Sequence, residues 1–485
     1  MYKHRLIAFG VASAVSTAFA LPHAAVAATG DDLKELREQL RQLKDSYEKR
    51  IEALEKRLQQ AEQSAGKAEA AATQAQGTAT QAQGTANQAA VQASSRPAGA
   101  SAFNPGISLI LNGTWGNLSR DPARYRINGF APTGGEVAPP ARGLSLGETE
   151  LAISANIDHY FRGTMYAALA PDNGIGVEEA YIQTLALSKG FTVKAGRFLS
   201  GVGYQNEIHP HAWDFTDASL ASKAFLGGKF ADDGVQVKWV APTDLYFAVG
   251  AEAGRGRTFP AGPEGGRSKN GIGSGVLFAH LGGDIGASTA WRVGLSSLQT
   301  SPQGRTYDDL DSAGTTVTNS FSGKSRLWAL DGVLKWAPNG NATQTNFKLQ
   351  GEYFRRKESG NLTYDTTAAS LGTRVDSYSS QQSGYYLQGV YQFMPRWRAG
   401  YRYDRLSAGT ASIGLVNNGA LAAANFPILN AYNPTRNTVM VDWSTSEFSR
   451  LRLQFARDRS QFAVTDSQVF LQYIMSLGAH GAHKF

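Results

Sequence analysis

The densest set of reactive side chains falls in one stretch, 200–233: Glu207, His209, His211, Trp213, Asp214, Asp217, Lys223 and Lys229. His209-Pro-His211, flanked by Glu207 and Asp214, offers imidazole and carboxylate, ligand types that suit zinc and copper. Two histidines one residue apart on a loop are a weak metal signal. The same run serves equally as a bend with hydrogen-bonded imidazoles, so no resident metal and no cofactor are expected. Gly143-Leu-Ser-Leu-Gly147 has nucleophile-elbow spacing. That motif needs a strand-to-helix turn, and here a loop leads into an alternating strand. Gly271-Ile-Gly-Ser-Gly275 also opens a strand, so it is no phosphate cradle. The chain has no cysteine, which removes disulfides, thiolate zinc, iron–sulfur clusters and thiol nucleophiles together. No catalytic triad is visible, and no enzymatic activity is expected.

A second set of charges sits on alternating segments. Lys194, Lys238, Lys348, Arg396, Arg398, Arg402 and Arg452 are basic; Glu148, Glu150 and Glu179 are acidic. If these polar faces line a lumen, the Arg and Lys side chains favour anions by replacing part of their hydration. Arg pairs especially well with phosphate or carboxylate oxygens. The plainer reading is that these cations pair with the acids and hold the wall.

The elements that must position both sets are strands. Leu451, Leu453 and Phe455 alternate with Arg452, Gln454 and Ala456; Trp397, Ala399, Tyr401 and Tyr403 alternate with Arg398, Arg402 and Asp404. From about Ile107, sixteen such strands can be placed. They lie near 107–117, 146–158, 161–171, 177–189, 191–199, 234–241, 243–254, 274–287, 288–299, 322–338, 343–356, 381–394, 396–406, 435–448, 449–460 and 466–485. Joins after even strands are tight, as at Lys189-Gly190 and Pro338-Asn339-Gly340. Most joins after odd strands are long, including 118–145, 200–233 and 407–434. Short turns at one end and long loops at the other mark an outer-membrane barrel. The expected fold is an all-β transmembrane barrel of about sixteen antiparallel strands over 105–485. Trp239, Trp336, Trp397, Trp443 and Phe448 cluster near strand ends, as an interfacial girdle requires. Mean hydropathy is slightly negative, which excludes a multi-helix membrane protein. The net charge of +7 fits a basic lumen, and nothing points to nucleic acid.

Ahead of the barrel come three different segments. Residues 1–27 read as a signal peptide: Lys3 and Arg5, then apolar Leu6 to Ala20, then Ala25-Val26-Ala27. Residues 28–63 read as a periplasmic coiled coil. Leu33, Leu36, Leu40, Leu43 and Tyr47 form a seam that continues through Ile51, Leu54, Leu58 and Ala61 after a stutter. Such a seam implies a partner copy. Residues 64–104 are an Ala/Gln/Gly-rich spacer without chemistry.

Signal peptide, stalk, spacer, sixteen strands and the terminal Phe485 together resemble the phosphate-selective porin (porin O/P) superfamily of Gram-negative outer membranes. The runs Leu146-Gly-Glu-Thr-Glu-Leu151 and His209-Pro-His-Ala-Trp-Asp-Phe215 are similar to runs in related proteobacterial porin-like proteins. The resemblance implies a homotrimeric passive diffusion channel without a cofactor; it does not by itself transfer phosphate specificity, and the expectation of small hydrophilic, anionic, phosphate-like solutes rests on the Arg and Lys of the polar faces. Outer-membrane lipid and lipopolysaccharide are the expected surroundings of such a barrel, and whether the stalk reaches peptidoglycan is left open by the sequence. The resemblance also implies that the loop at 200–233 folds inward as the constriction. Arg396, Arg398 and Arg402 on one strand resemble part of an arginine ladder, while the glutamates depart from that pattern. The other readings are a facilitator for sugars, organic acids or metal complexes, with Trp213 as a stacking surface, and a structural envelope tether.

Overall fold

The computed structural model describes residues 38, 41–46, 48–60, 62–63, 105–132, 137–169, 174–262 and 270–478. It forms two units, 1–100 and 101–485. In the first, residues 41–46 and 48–60 are helical (α1). Leu43, Ile51, Leu54 and Leu58 are all exposed on it. An apolar stripe open to water does not stabilise a helix of this length by itself. The segments read as signal peptide and spacer, together with Phe485, lie outside the described residues, and the segment read as a coiled coil is described at residue 38, over α1 and at 62–63.

The second unit is a closed antiparallel barrel. Among the described residues its wall has sixteen strands. They are β1 Gly106–Leu118, β2 Thr149–Asn156, β3 Phe161–Leu169, β4 Ile175–Thr184, β5 Phe191–Leu199, β6 Ala231–Val240, β7 Tyr246–Gly254 and β8 Ser274–Ile285. They continue as β9 Thr289–Thr300, β10 Thr316–Trp336, β11 Asn346–Tyr364, β12 Arg374–Met394, β13 Trp397–Ser407, β14 Thr435–Ser446, β15 Ser449–Arg459 and β16 Asp466–Gly478. Each pairs with the next, and β1 closes on β16 from Ser108↔Gly478 to Leu118↔Gln468. Closure leaves no unpaired wall edge, which a bilayer demands. Three short strands, Gly143–Leu146, Arg305–Leu310 and Ser412–Ile413, add pairs on the long-loop side.

The alternation is inverted relative to a soluble sandwich. Leu451, Leu453 and Phe455 are exposed, while Arg452 and Gln454 between them are 1% and 0% exposed. On β16, Leu471, Tyr473, Met475 and Leu477 point out and Gln468 and Gln472 point in. The apolar face therefore looks outward and the polar face inward, the arrangement that hydrocarbon around a barrel selects. Trp397 and Trp443 stack at 5.8 Å at the short-turn end.

Strands β10, β11 and β12 run 21, 19 and 21 residues, reaching further into the long-loop side than their alternation suggested. Their outer parts are polar on the outward face and carry Val317, Phe321, Leu362, Tyr364 and Tyr378 on the inward one, so the apolar-out pattern ends before the pairing does. The inner face of this tall wall is covered by buried loop residues such as Phe426, Ile428 and Leu429.

Candidate functional site

The third long loop, 200–230, turns into the barrel. Its neck is pinched shut: Asn206 donates to the Ser200 carbonyl at 2.8 Å and the Phe230 carbonyl at 2.9 Å, and its Oδ1 accepts from Phe230 N–H at 2.6 Å. Inside the loop, helix α2 (Leu220–Leu226) is capped by Ser219, which accepts from Ser222 N–H at 3.0 Å, and ends at Gly227 with φ 68°. The apolar residues of this stretch supply the reason it stays inside. Leu220, Phe225 and Leu226 join Ile127 and Phe130 of the first loop, and Phe354 and Leu406 of the wall, in one buried cluster.

From that neck the loop spans the lumen. Glu252 on β7 accepts from Gly201 N–H at 2.8 Å, Ser296 on β9 from Gly203 N–H at 3.1 Å, and Glu352 on β11 from the Tyr204 and Gln205 amides. On the far side it meets the basic wall. Asp214 accepts from Lys348 at 2.9 Å and Arg398 at 3.1 Å. Asp217 accepts from Lys223 at 2.9 Å, from Arg402 at 3.3 Å and from Arg436. Arg452 donates to the Trp213 carbonyl at 2.8 Å. Burial alone would push the Asp217 carboxyl up, but Arg436, Lys223 and Arg402 hold it well below its ordinary value.

The opposite corner is acidic. His209 Nδ1 lies 2.8 Å from Glu150 and 3.3 Å from Glu178, and its Nε2 lies 2.9 Å from Glu179. His211 Nδ1 is 3.6 Å from Glu150. Lys229 bridges Glu148 at 3.0 Å and Glu178 at 2.9 Å. Donor atoms of Glu148, Glu150, Glu178 and His209 all fall within 4.8 Å of one another, a set whose chemistry suits a divalent cation. The geometry equally suits an imidazolium clasp. Burial would lower the His209 pKa, yet the three carboxylates hold it well above 6.5. A raised folded pKa means that the clasp is fully present below about pH 6.5 and is lost as pH climbs through the raised value. We expect His209→Gln to loosen the loop already at neutral pH, read as a rise in open-channel noise. Wild type should acquire that noise only in alkaline buffer; equal pH profiles for both would remove the clasp.

The sequence-derived residues thus separate into groups. Lys348, Arg398, Arg402 and Arg452 meet the loop, as do Glu148, Glu150 and Glu179. Glu207 instead lies 4.0 Å from Arg292 on β9. Lys194 and Lys238 occupy a different sector. With Tyr204, Glu207, Gln236 and Arg292 they line an open cavity of about 620 Å³ on the short-turn side of the loop. A neighbouring cavity of about 500 Å³ is lined by Asp284, Lys335, Lys348 and Arg398. Arg396 does not line the lumen. It sits in the tight turn after Pro395 with φ 70°, exposed, and donates to the Thr445 carbonyl at 3.0 Å. Trp213 is no stacking surface: it is 5% exposed and donates to the Ile208 carbonyl at 2.8 Å. Arg292, Arg436, Glu178, Glu252 and Glu352 belong to the site as well. Alternation with outward Val293, Val439 and Tyr353 was the signal available for Arg292, Arg436 and Glu352.

No family model matches the chain. A protein of Aquifex aeolicus strain VF5, described as uncharacterized, is 29% identical over 414 residues, covering 80% of this chain and 81% of that protein. Among solved structures, the barrel is similar to a loop L8 deletion mutant of OmpT, an outer membrane protein of Vibrio cholerae (TM-score 0.48, 11% identity, 77% of this chain and 99% of that one). It is also similar to the outer membrane channel DcaP of Acinetobacter baumannii (TM-score 0.44, 12% identity, 77% and 97%). The anion-selective porin from Comamonas acidovorans gives a TM-score of 0.43 at 10% identity, with 77% and 99% covered.

Proposed function

We propose that the chain is an outer-membrane porin whose barrel passes small hydrophilic anions by diffusion, assembled as a homotrimer through barrel and stalk. One observation carries the anion reading. The cavities on the short-turn side of the loop are lined by six cations, Lys194, Lys238, Arg292, Lys335, Lys348 and Arg398, against two acids, Glu207 and Asp284. Charges of one sign in a confined, low-dielectric space raise the local concentration of the opposite ion. The deeper arginines, Arg402, Arg436 and Arg452, hold the loop rather than a solute, which separates this site from a continuous phosphate ladder. The exposed stripe on α1 supports a self-associating stalk.

The test is single-channel recording in planar bilayers under a tenfold KCl gradient. The expected reversal potential has the sign of anion preference, with steps grouped in threes. A reversal of cation sign would reject the anion reading. A folded, heat-modifiable barrel without conductance would reject the channel and leave the tether.

A further inference from the structure

The outward face changes character abruptly on the tall side of the barrel. Along β10 the outward series runs Leu330, Trp328, Arg326, Lys324; along β11 it runs Tyr353, Arg355, Lys357. Leu330, Trp328 and Tyr353 are exposed apolar or aromatic residues of the membrane belt. The four cations follow directly beyond them, towards the long loops, and all four are exposed. Nearby strands repeat the order, with Arg405 after Tyr401 and Tyr403 on β13, and Arg457 after Phe455 on β15.

These charges have no internal counterpart. Among the described residues none of Lys324, Arg326, Arg355 and Lys357 has a hydrogen-bonding or ion-pairing partner for its side chain. The outward arginine on the low side behaves differently: Arg197 on β5 is paired with Asp233 on β6 at 2.7 Å. Moreover, Arg326 stands directly opposite Lys357 in the β10–β11 register, and Arg355 is opposite Trp328. Like charges directly across a strand pair are destabilising. Two facing cations flanked by two more, at the edge of an apolar belt, gain most from an anion supplied from outside.

We propose that Lys324, Arg326, Arg355 and Lys357 form a binding site for the phosphate groups of an outer-leaflet lipid. The inference rests on the outer-membrane reading, which puts the long loops outside. The aliphatic stems and Trp328 meet the acyl region, while the charged tips reach the headgroup. Arginine forks and lysine ammoniums are the side chains that take phosphate oxygens. A free phosphate ion would gain the charges but not the adjoining apolar belt, so the occupant is a lipid.

The full-length protein in detergent is incubated with rough lipopolysaccharide carrying both lipid A phosphates, or with the same lipid after chemical removal of those phosphates. Retained lipid is counted by native mass spectrometry. Wild type should hold the phosphorylated form at least about tenfold more tightly, since basic side chains beside an apolar belt attract anionic lipid headgroups. The variant K324S/R326S/R355S/K357S should lose that preference and keep wild-type conductance, because none of the four faces the lumen. The milder R326S/K357S should already lower the preference severalfold, which keeps the test decisive if the quadruple variant does not fold. Unchanged preference in a folded variant, or equal retention of both lipids by wild type, would overturn the site. Loss of conductance in wild type would instead count against the porin reading.

Discussion

Asp217→Asn should release the inward loop from the wall. Asp217 is the single carboxylate that accepts from Lys223, Arg402 and Arg436, and Gln454 also reaches it at 3.2 Å. Lys223, Arg402 and Arg436 are each 1% exposed or less. Asparagine keeps the shape but withdraws the charge, so three buried cations lose their shared partner. Breaking one side of a buried ion pair costs about 3–5 kcal/mol. Asp404 and Asp458 remain near Arg402 and Arg436, so the loss should be at the lower end of that range. The measurement is the temperature at which the folded band disappears on an unboiled gel, together with channel noise. We expect a lower transition and a noisier, larger conductance. A double-mutant cycle with Arg436→Gln should show strong coupling, because the second change removes a cation the first has stranded. Acid should imitate the substitution. The Asp217 carboxyl is held well below 3.8, so its contribution is present above about pH 3.8 and is lost only as pH falls through the depressed value. A variant with wild-type melting and noise would show that the loop is held by its apolar cluster alone.

That apolar cluster and the wall are legible in the sequence to different degrees. All sixteen wall strands follow from period-two alternation, and the short-turn end follows from pairs such as Lys189-Gly190. Both residues of that pair have positive φ, and a Cβ on Gly190 would collide with the Val240 carbonyl oxygen. Alternation says which face a side chain occupies, and it places Arg398, Arg402 and Arg452 inside. It carries no information about what lies across the lumen. Asp214 and Asp217 find Arg398 and Arg436 from 184 and 219 residues away, through closure of the whole barrel and entry of the loop. Arg396 illustrates the other limit. A strand begun one residue early puts a turn residue on the pore face. The tall ends of β10 to β12 escaped for a different reason: water or headgroups make the outward face polar there, while Phe321, Leu362, Tyr364 and Tyr378 turn inward against the loops, which reverses the apolar-out pattern of the belt. Trp213 shows that a large aromatic in a charged loop is as apt to anchor the loop as to greet a solute.

The charge of the short-turn cavities can be removed without touching that anchor. Lys238 and Lys335 both line them, whereas Lys348 and Arg398 donate to Asp214 of the loop. The double variant K238E/K335E brings cations and acids around these cavities to four each. If the excess of cations sets selectivity, its anion preference should fall to near unity while the melting transition stays close to wild type. Screening gives a second signature. The Debye length is about 10 Å at 0.1 M salt and about 3 Å at 1 M. Wild-type preference should therefore shrink as salt rises, and the variant should be nearly insensitive. Neutralisation by K238Q/K335Q should lie between the two. Undiminished anion preference in K238E/K335E would move the selecting charges away from these cavities, to the long-loop side of the barrel. A preference that vanished with Arg398→Gln but not with K238E/K335E would assign selection to the loop anchor itself.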